Sequence, residues 1–141
     1  MADPFFVQKA SNGQGDEINT CIACNQACLD HTFGGKTTSC LVNPRACHET
    51  ILKYEPTQNA KTIAVIGAGP AGLAYATTAA ERGHDVTLFD ASSEIGGQFN
   101  LAKLVPGKEE FYETLRYYGK MIEKLDITLK LNTRAEADML G

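Results

Sequence analysis

Positive charge is scarce and nowhere concentrated: 13 Lys and Arg stand against 17 Asp and Glu in 141 residues, a formal net charge of −4. No dense basic run occurs, so the electrostatic footprint of a nucleic-acid-binding surface is missing. Apolar residues make up 43% of the chain, yet none of their runs approaches the roughly 20 residues that span a bilayer. The opening MADPFFVQKA has an acid where a secretory leader has basic residues, and it lacks an apolar core segment. These absences lead us to expect a cytoplasmic protein without membrane or nucleic-acid partners. In a reducing compartment the five cysteines point away from disulfides and toward metal or redox chemistry.

Four of those cysteines crowd one stretch, CIACNQACLDHTFGGKTTSC, residues 21–40. Cys21, Cys24, Cys28 and Cys40 are spaced C-x2-C-x3-C-x11-C. Zinc sites usually draw two ligands from each of two short arms. Here three thiols share one loop and a single thiol returns from afar, an arrangement that suits a cubane [4Fe–4S] cluster. Zinc stays open as a second reading. A Cys21–Cys24 redox dithiol is a third, and it leaves Cys28 and Cys40 without a role. Gly34 and Gly35 are expected to let backbone N–H groups approach the cluster sulfurs and tune the potential. Cys47 reads as a small buried hydrophobe rather than a fifth ligand. His31 and His48 read as loop histidines satisfied by backbone or solvent.

Composition divides the chain into a cysteine-bearing segment at 1–47, a connector at 48–61 punctuated by Pro56, and a segment at 62–141 with a different pattern. TIAVI, from Thr62, is a β-branched run suited to a strand buried on both faces. GAGPAG and an alanine-rich helix follow, closed by Gly83 where a helix C-terminal glycine belongs. DVTLFD (85–90) reads as a second strand, and a glycine-containing loop leads to a helix over about 108–125. There Phe111, Leu115, Tyr118, Ile122 and Leu125 form one apolar stripe. ITLKLNT alternates like a third strand. The expected fold class is α/β, a partial Rossmann-like (doubly wound parallel) sheet of about three strands, preceded by a loop-rich iron–sulfur segment.

The glycines carry the second chemical signal. Gly67, Gly69 and Gly72 follow a strand and open a helix, as a dinucleotide turn requires: tight turn, close approach to a pyrophosphate, close helix–strand packing. The diphosphate would rest on the helix N-terminus. Asp90, 18 residues past Gly72, stands where a ribose-binding carboxylate is expected and would repel a 2′-phosphate, leaving FAD or NAD. The bland alternative is a glycine turn in some other βαβ protein, with Asp90 a turn former. Combined with a structural zinc ion, it gives a non-catalytic zinc and NAD-binding module.

Together CIACNQACLD, TTSCLVNPRACHE, VIGAGPAGLA, TLFDASSEIGGQFN and PGKEEFYETLRYY resemble the bacterial NADPH-dependent 2,4-dienoyl-CoA reductases, iron–sulfur flavoproteins of the old-yellow-enzyme class related to trimethylamine dehydrogenase. The resemblance implies that Cys21, Cys24, Cys28 and Cys40 ligate a [4Fe–4S] cluster. Gly67 and Ala71 correspond to the pyrophosphate turn, Asp90 to the adenosine-ribose acid and Gln98 to a flavin-side contact. Lys108 and the backbone of Ala135 correspond to further FAD contacts. It also implies an FMN-binding barrel before this segment and an NADPH domain after it, with hydride passing from NADPH to FAD and electrons crossing the cluster to FMN. By that standard the 141 residues are a fragment, cluster segment plus the N-terminal half of an FAD domain. The fragment holds no catalytic residue and no substrate site, and the role implied for the whole is unsaturated fatty-acid β-oxidation. Another old-yellow-enzyme-class oxidoreductase with an enoate or amine substrate is the alternative.

Overall fold

The structure, a computed structural model, describes residues 1–140; position 141, the last of the expected flavin half, lies outside them. The first 61 residues contain no strand of the sheet. They comprise a helix α1 (Phe6–Ser11), a 3₁₀ turn (Gly15–Glu17) and a π-helical turn (Gln26–Asp30) that runs into one helical turn, α2 (His31–Phe33). Then come β1 (Thr62–Ile66), α3 (Pro70–Glu81), β2 (Asp85–Phe89), α4 (Phe99–Ala102), α5 (Phe111–Lys124) and β3 (Thr128–Lys130). Among the described residues no helix is long and apolar enough to cross a membrane.

The strands form a parallel sheet in the order β1-β2-β3, which is the expected Rossmann-like α/β unit. Ile63 pairs with Val86 and Val65 with Leu88, so the aliphatic residues of both strands project to the same face. There they meet Leu73, Ala76 and Ala79 of α3 and Ile122 of α5 in one core. Alanines at the α3 contact let that helix lie close to the sheet.

The other face corrects the expectation for TIAVI. Ala64 and Ile66 are exposed, Ile66 at 63%, so β1 is buried on one face only. The reason is topological: α3 and α5 pack on the same side, as consecutive crossovers of one hand require.

Local chemistry sets the helix ends. Pro70 opens α3 behind Gly69, where its missing N–H costs little. At the other end Gly83 N–H donates to Ala80 and His84 N–H to Ala79, the paired Schellman bonds of a glycine-terminated helix. Helix α5 starts at Phe111 rather than near 108, and its apolar stripe faces inward as expected. Helix α4 interrupts what reads as a loop. Its first residue, Phe99, stacks on Phe111 with centroids 4.6 Å apart and planes 2° from parallel, so four residues become helical through a tertiary contact.

Candidate dinucleotide and cysteine sites

Gly67 leaves β1 with φ of +100°, a region costly for a side chain, and its N–H donates to Phe89 of β2 at 2.8 Å. Gly69 caps α3, and its carbonyl accepts from Leu73 N–H at 2.9 Å. A Cβ on Gly72 would stand 1.8 Å from the Gly67 carbonyl oxygen, so only hydrogen fits where the helix crosses the turn. Ala71 is exposed in the first turn of α3, where N–H groups lack intrahelical acceptors and the dipole is positive. This cradle fits a diphosphate.

Asp90 follows β2 directly. Its Oδ1 accepts from Ser92 N–H at 2.7 Å and its Oδ2 from Ala68 N–H at 2.6 Å. Those backbone bonds, Ser92 first, hold the carboxyl below its ordinary value against a smaller desolvation effect. Gly67, Asp90 and Ala135 line one cavity of about 310 Å³ beside Phe89, with Thr133 and Arg134 on its rim. Thr133 N–H donates to the Asp90 carbonyl at 2.8 Å, and this bond folds the stretch after β3 over the acid. Thr133 and Arg134 escaped the sequence reading, because position after a strand end was the only signal they carried.

The Ile95–Gln98 loop packs on the same turn. Gly96 N–H donates to Ala68 at 2.7 Å, and Gly97 lies against Gly69. Gln98 is thereby set beside the turn, with its side chain exposed at the start of α4. Lys108 lies outside the Asp90 cavity, its Nζ 5.6 Å from the Phe111 ring centroid. Gly67, Asp90 and Ala135 are thus brought together, Gly69, Ala71 and Gly72 form the adjoining cradle, and Lys108 stands apart.

A pH dependence follows from Asp90. Its folded-state pKa is depressed, so its stabilisation is complete above the unfolded value of about 3.9 and disappears as pH falls through the folded pKa. In acid titration of unfolding, Asp90→Asn is expected to lose part of the decline in stability below about pH 4. It is also expected to weaken dinucleotide binding roughly tenfold, as loss of a hydrogen bond to a charged group does. An unchanged acid limb would contradict this role.

The cysteine loop is built from unusual backbone. Ala23 (φ 52°) and Asn25 (φ 58°) both adopt left-handed conformations on either side of Cys24. Turns of this kind direct successive N–H groups into anion- and cluster-binding hollows. Ala23 N–H donates to Cys21 Sγ at 3.4 Å. Ser39 N–H donates to the Ala27 carbonyl at 2.9 Å, tying the residue before Cys40 to the residue before Cys28. All five cysteines are free thiols; Cys21 and Cys47 are exposed, and Cys24, Cys28 and Cys40 are half-buried. Four free thiols on two tied arms fit a cluster by donor chemistry. Among the described residues, however, no three His, Cys, Asp or Glu side chains are drawn into one metal-ligand shell.

Three expectations for this loop change. Gly34 and Gly35 N–H groups donate to the carbonyls of Asp30 and Thr32, closing α2, so they are not free for sulfur; Ala23 supplies the N–H···S bond instead. Cys47 is exposed at φ 63°, not a buried hydrophobe, and its N–H donates to Glu49 Oε1 at 3.2 Å. The histidines behave as expected: His31 Nδ1 lies 3.1 Å from the Thr37 carbonyl and His48 Nδ1 3.0 Å from that of Ala46.

Comparison with known proteins supports the dinucleotide half directly. Residues 65–118 match the NAD(P)-binding Rossmann-like domain family. The chain is 44% identical over 135 residues to a metal reductase of Desulforamulus reducens, covering 96% of this chain and 20% of that protein. It is 36% identical over 140 residues to a bilirubin reductase of Mediterraneibacter gnavus, covering 99% and 22%. Among solved structures, 2-naphthoyl-CoA reductase in complex with 2-naphthoyl-CoA superposes with a TM-score of 0.95 at 43% identity, covering 99% of this chain and 21% of that one. The chain spans about a fifth of the length of the relatives it matches. It is a Rossmann-like α/β unit behind a cysteine loop, similar over nearly its whole length to one part of several larger reductases.

Proposed function

We propose that the chain is the electron-relay portion of a larger flavoprotein reductase of the old-yellow-enzyme class, with a [4Fe–4S] cluster on Cys21, Cys24, Cys28 and Cys40 and FAD on the glycine turn. One observation carries this reading: the same stretch, at 36–44% identity, recurs in reductases named for a metal, bilirubin and 2-naphthoyl-CoA. A part shared across such different acceptors suits what those reductions have in common, the delivery of electrons. Bound FAD takes up two electrons and releases them singly, and a cluster carries one at a time.

The chain's own residues bind and orient. The first turn of α3 offers N–H groups to the diphosphate, and Gly72 keeps that turn close to Gly67. Asp90, kept ionised by Ser92 and Ala68 N–H groups, accepts from ribose hydroxyls and opposes a 2′-phosphate. Gln98 and Ala135 would border the dinucleotide, and Lys108, outside the Asp90 cavity, would reach it only from a distance. Cys21, Cys24, Cys28 and Cys40 would hold the cluster as thiolates, their ligand shell being completed only on binding.

Within this class the specific reading is an NADPH-dependent 2,4-dienoyl-CoA reductase of unsaturated fatty-acid β-oxidation. Its support is the likeness to a reductase structure that holds 2-naphthoyl-CoA, an aromatic acyl-CoA thioester. An FMN-binding barrel and an NADPH domain would complete it. The metal and bilirubin relatives favour a second reading, the same relay serving another acceptor.

NADPH oxidation with 2,4-dienoyl-CoA, an enoate or an amine as co-substrate separates these readings. The chain alone is expected to turn over none of them. Joined to an FMN-binding barrel and an NADPH domain, it is expected to support dienoyl-CoA-dependent oxidation. Turnover by the chain alone would contradict the relay assignment.

A further inference from the structure

We propose that Arg116 is the positioning residue of the cysteine loop: from α5 its guanidinium fixes the backbone of residues 16–20, and through it the placement of Cys21 against the dinucleotide half. The inference rests on the relay reading above.

The residues leading into Cys21 have no sheet or helix to hold them. Beyond the 3₁₀ turn, Ile18 is extended. From the N-terminal side Lys9 Nζ donates to the Glu17 carbonyl at 2.8 Å and Asn19 N–H donates to Asp3 Oδ2 at 2.9 Å; from α5 the main-chain anchor is Arg116. One terminal nitrogen donates to the Asp16 carbonyl. The other donates to the Ile18 carbonyl at 2.7 Å and reaches Thr20 Oγ1 at 3.4 Å. Nε donates to Glu113 Oε2 at 2.7 Å, which orients the fork, and Thr20 Oγ1 donates weakly to the same carboxylate at 3.5 Å. Among the described hydrogen bonds no other group donates to the carbonyls of Asp16 or Ile18. A planar guanidinium bonded to two backbone carbonyls and to a side chain two residues beyond the second sets register, which a point charge does not.

Two neighbouring ion pairs do a different job. Lys120 meets Asp16 at 3.0 Å and Lys124 meets Glu17 at 2.5 Å. Both grip side chains and not main chain; the Lys120–Asp16 pair lies at the surface, where pairs contribute little and tolerate slack. Of these three α5 side chains Arg116 alone grips the main chain, and Thr20, its last contact, is bonded directly to Cys21.

Helix α5 makes this placement consequential. Phe111, at its start, stacks on Phe99, the neighbour of Gln98. Arg116 comes five residues later, about 7.5 Å along the axis at 1.5 Å per residue. One rigid helix therefore touches the flavin-side loop with its first turn and the cysteine arm with its second. Electron transfer between the two sites falls steeply with distance, so the clasp that holds this arm on α5 governs their coupling.

The test compares wild type, Arg116→Gln, Arg116→Lys and the control Lys120→Gln, each full chain reconstituted anaerobically with iron, sulfide and FAD. FAD affinity, bound iron and the low-temperature electron paramagnetic resonance (EPR) spectrum of the reduced cluster are measured. Arg116→Gln is expected to keep FAD affinity within about twofold while cluster affinity falls about 10- to 100-fold, as loss of an orienting partner does. Any remaining cluster should give a broadened spectrum. Arg116→Lys is expected to fall between wild type and Gln, because an ammonium lacks the planar fork. Lys120→Gln should match wild type. Wild-type cluster content and spectrum in Arg116→Gln overturn the inference, and so does parallel loss of FAD, which would make Arg116 a general structural residue. A wild-type chain that holds no cluster overturns the relay reading and this inference with it.

Discussion

Replacing Cys24 by serine is expected to remove at least about nine-tenths of the bound iron, whereas Cys47→Ser leaves iron content unchanged. Cys24 is half-buried and lies between Ala23 and Asn25, both left-handed. That backbone is costly for non-glycine residues, and its persistence on both sides of one thiol is explained if the turn exists to aim N–H groups and sulfur at a cluster. Serine keeps the shape of the side chain but lacks a thiolate, the species an iron–sulfur cluster requires. Cys47 also has positive φ, but it is exposed and its N–H is bonded to Glu49. Iron and sulfide assays on the two variants check the assignment. Iron lost from Cys47→Ser and kept in Cys24→Ser would reverse the ligand set.

Gly72→Ala is expected to abolish dinucleotide binding and to destabilise the fold by about 3 kcal/mol or more, the range of severe steric and backbone effects. Its new methyl would lie 1.8 Å from the Gly67 oxygen and 3.1 Å from the Gly67 carbonyl carbon. Both atoms are main chain, so either α3 retreats from β1 or the turn opens. Retreat uncovers Leu73 and Ala76, both fully buried in the core. Opening the turn also breaks the Ala68 N–H bond that holds Asp90. Gly69 provides the contrast. A Cβ there meets nothing within 4 Å, so Gly69→Ala should fold normally and lose affinity only because the methyl obstructs the approaching diphosphate. Thermal unfolding and titration with FAD separate the two effects. Equal stability losses at the two positions would contradict the packing argument for Gly72.

The order β–α–β–α–β was legible because each element carries its own pattern: TIAVI and DVTLFD are β-branched or alternating, α5 has a complete apolar stripe, and Gly83 marks a helix end. The dinucleotide turn was legible because each glycine has a distinct steric duty. What escaped depends on contacts remote in sequence. Phe99 becomes helical only through Phe111. A strand covered on one face has the same residues as one covered on both, so the exposure of Ile66 could not be read from TIAVI. Cys47 was misjudged because cysteine composition favours burial, whereas its positive φ leaves no trace in the sequence. Gly34 and Gly35 suggested free N–H groups, but α2 uses them. Arg116 was silent for a similar reason: two of its acceptors are main-chain carbonyls, which have no sequence signature.

The most direct test of the relay account is low-temperature EPR of the chain loaded anaerobically with iron, sulfide and FAD and reduced stepwise. The account predicts about four iron and four sulfide per chain, flavin absorption that bleaches during reduction, and a half-integer-spin cluster signal that grows in the same sample. A colourless protein carrying about one zinc per chain, with no cluster signal at any stage of reduction, would contradict it.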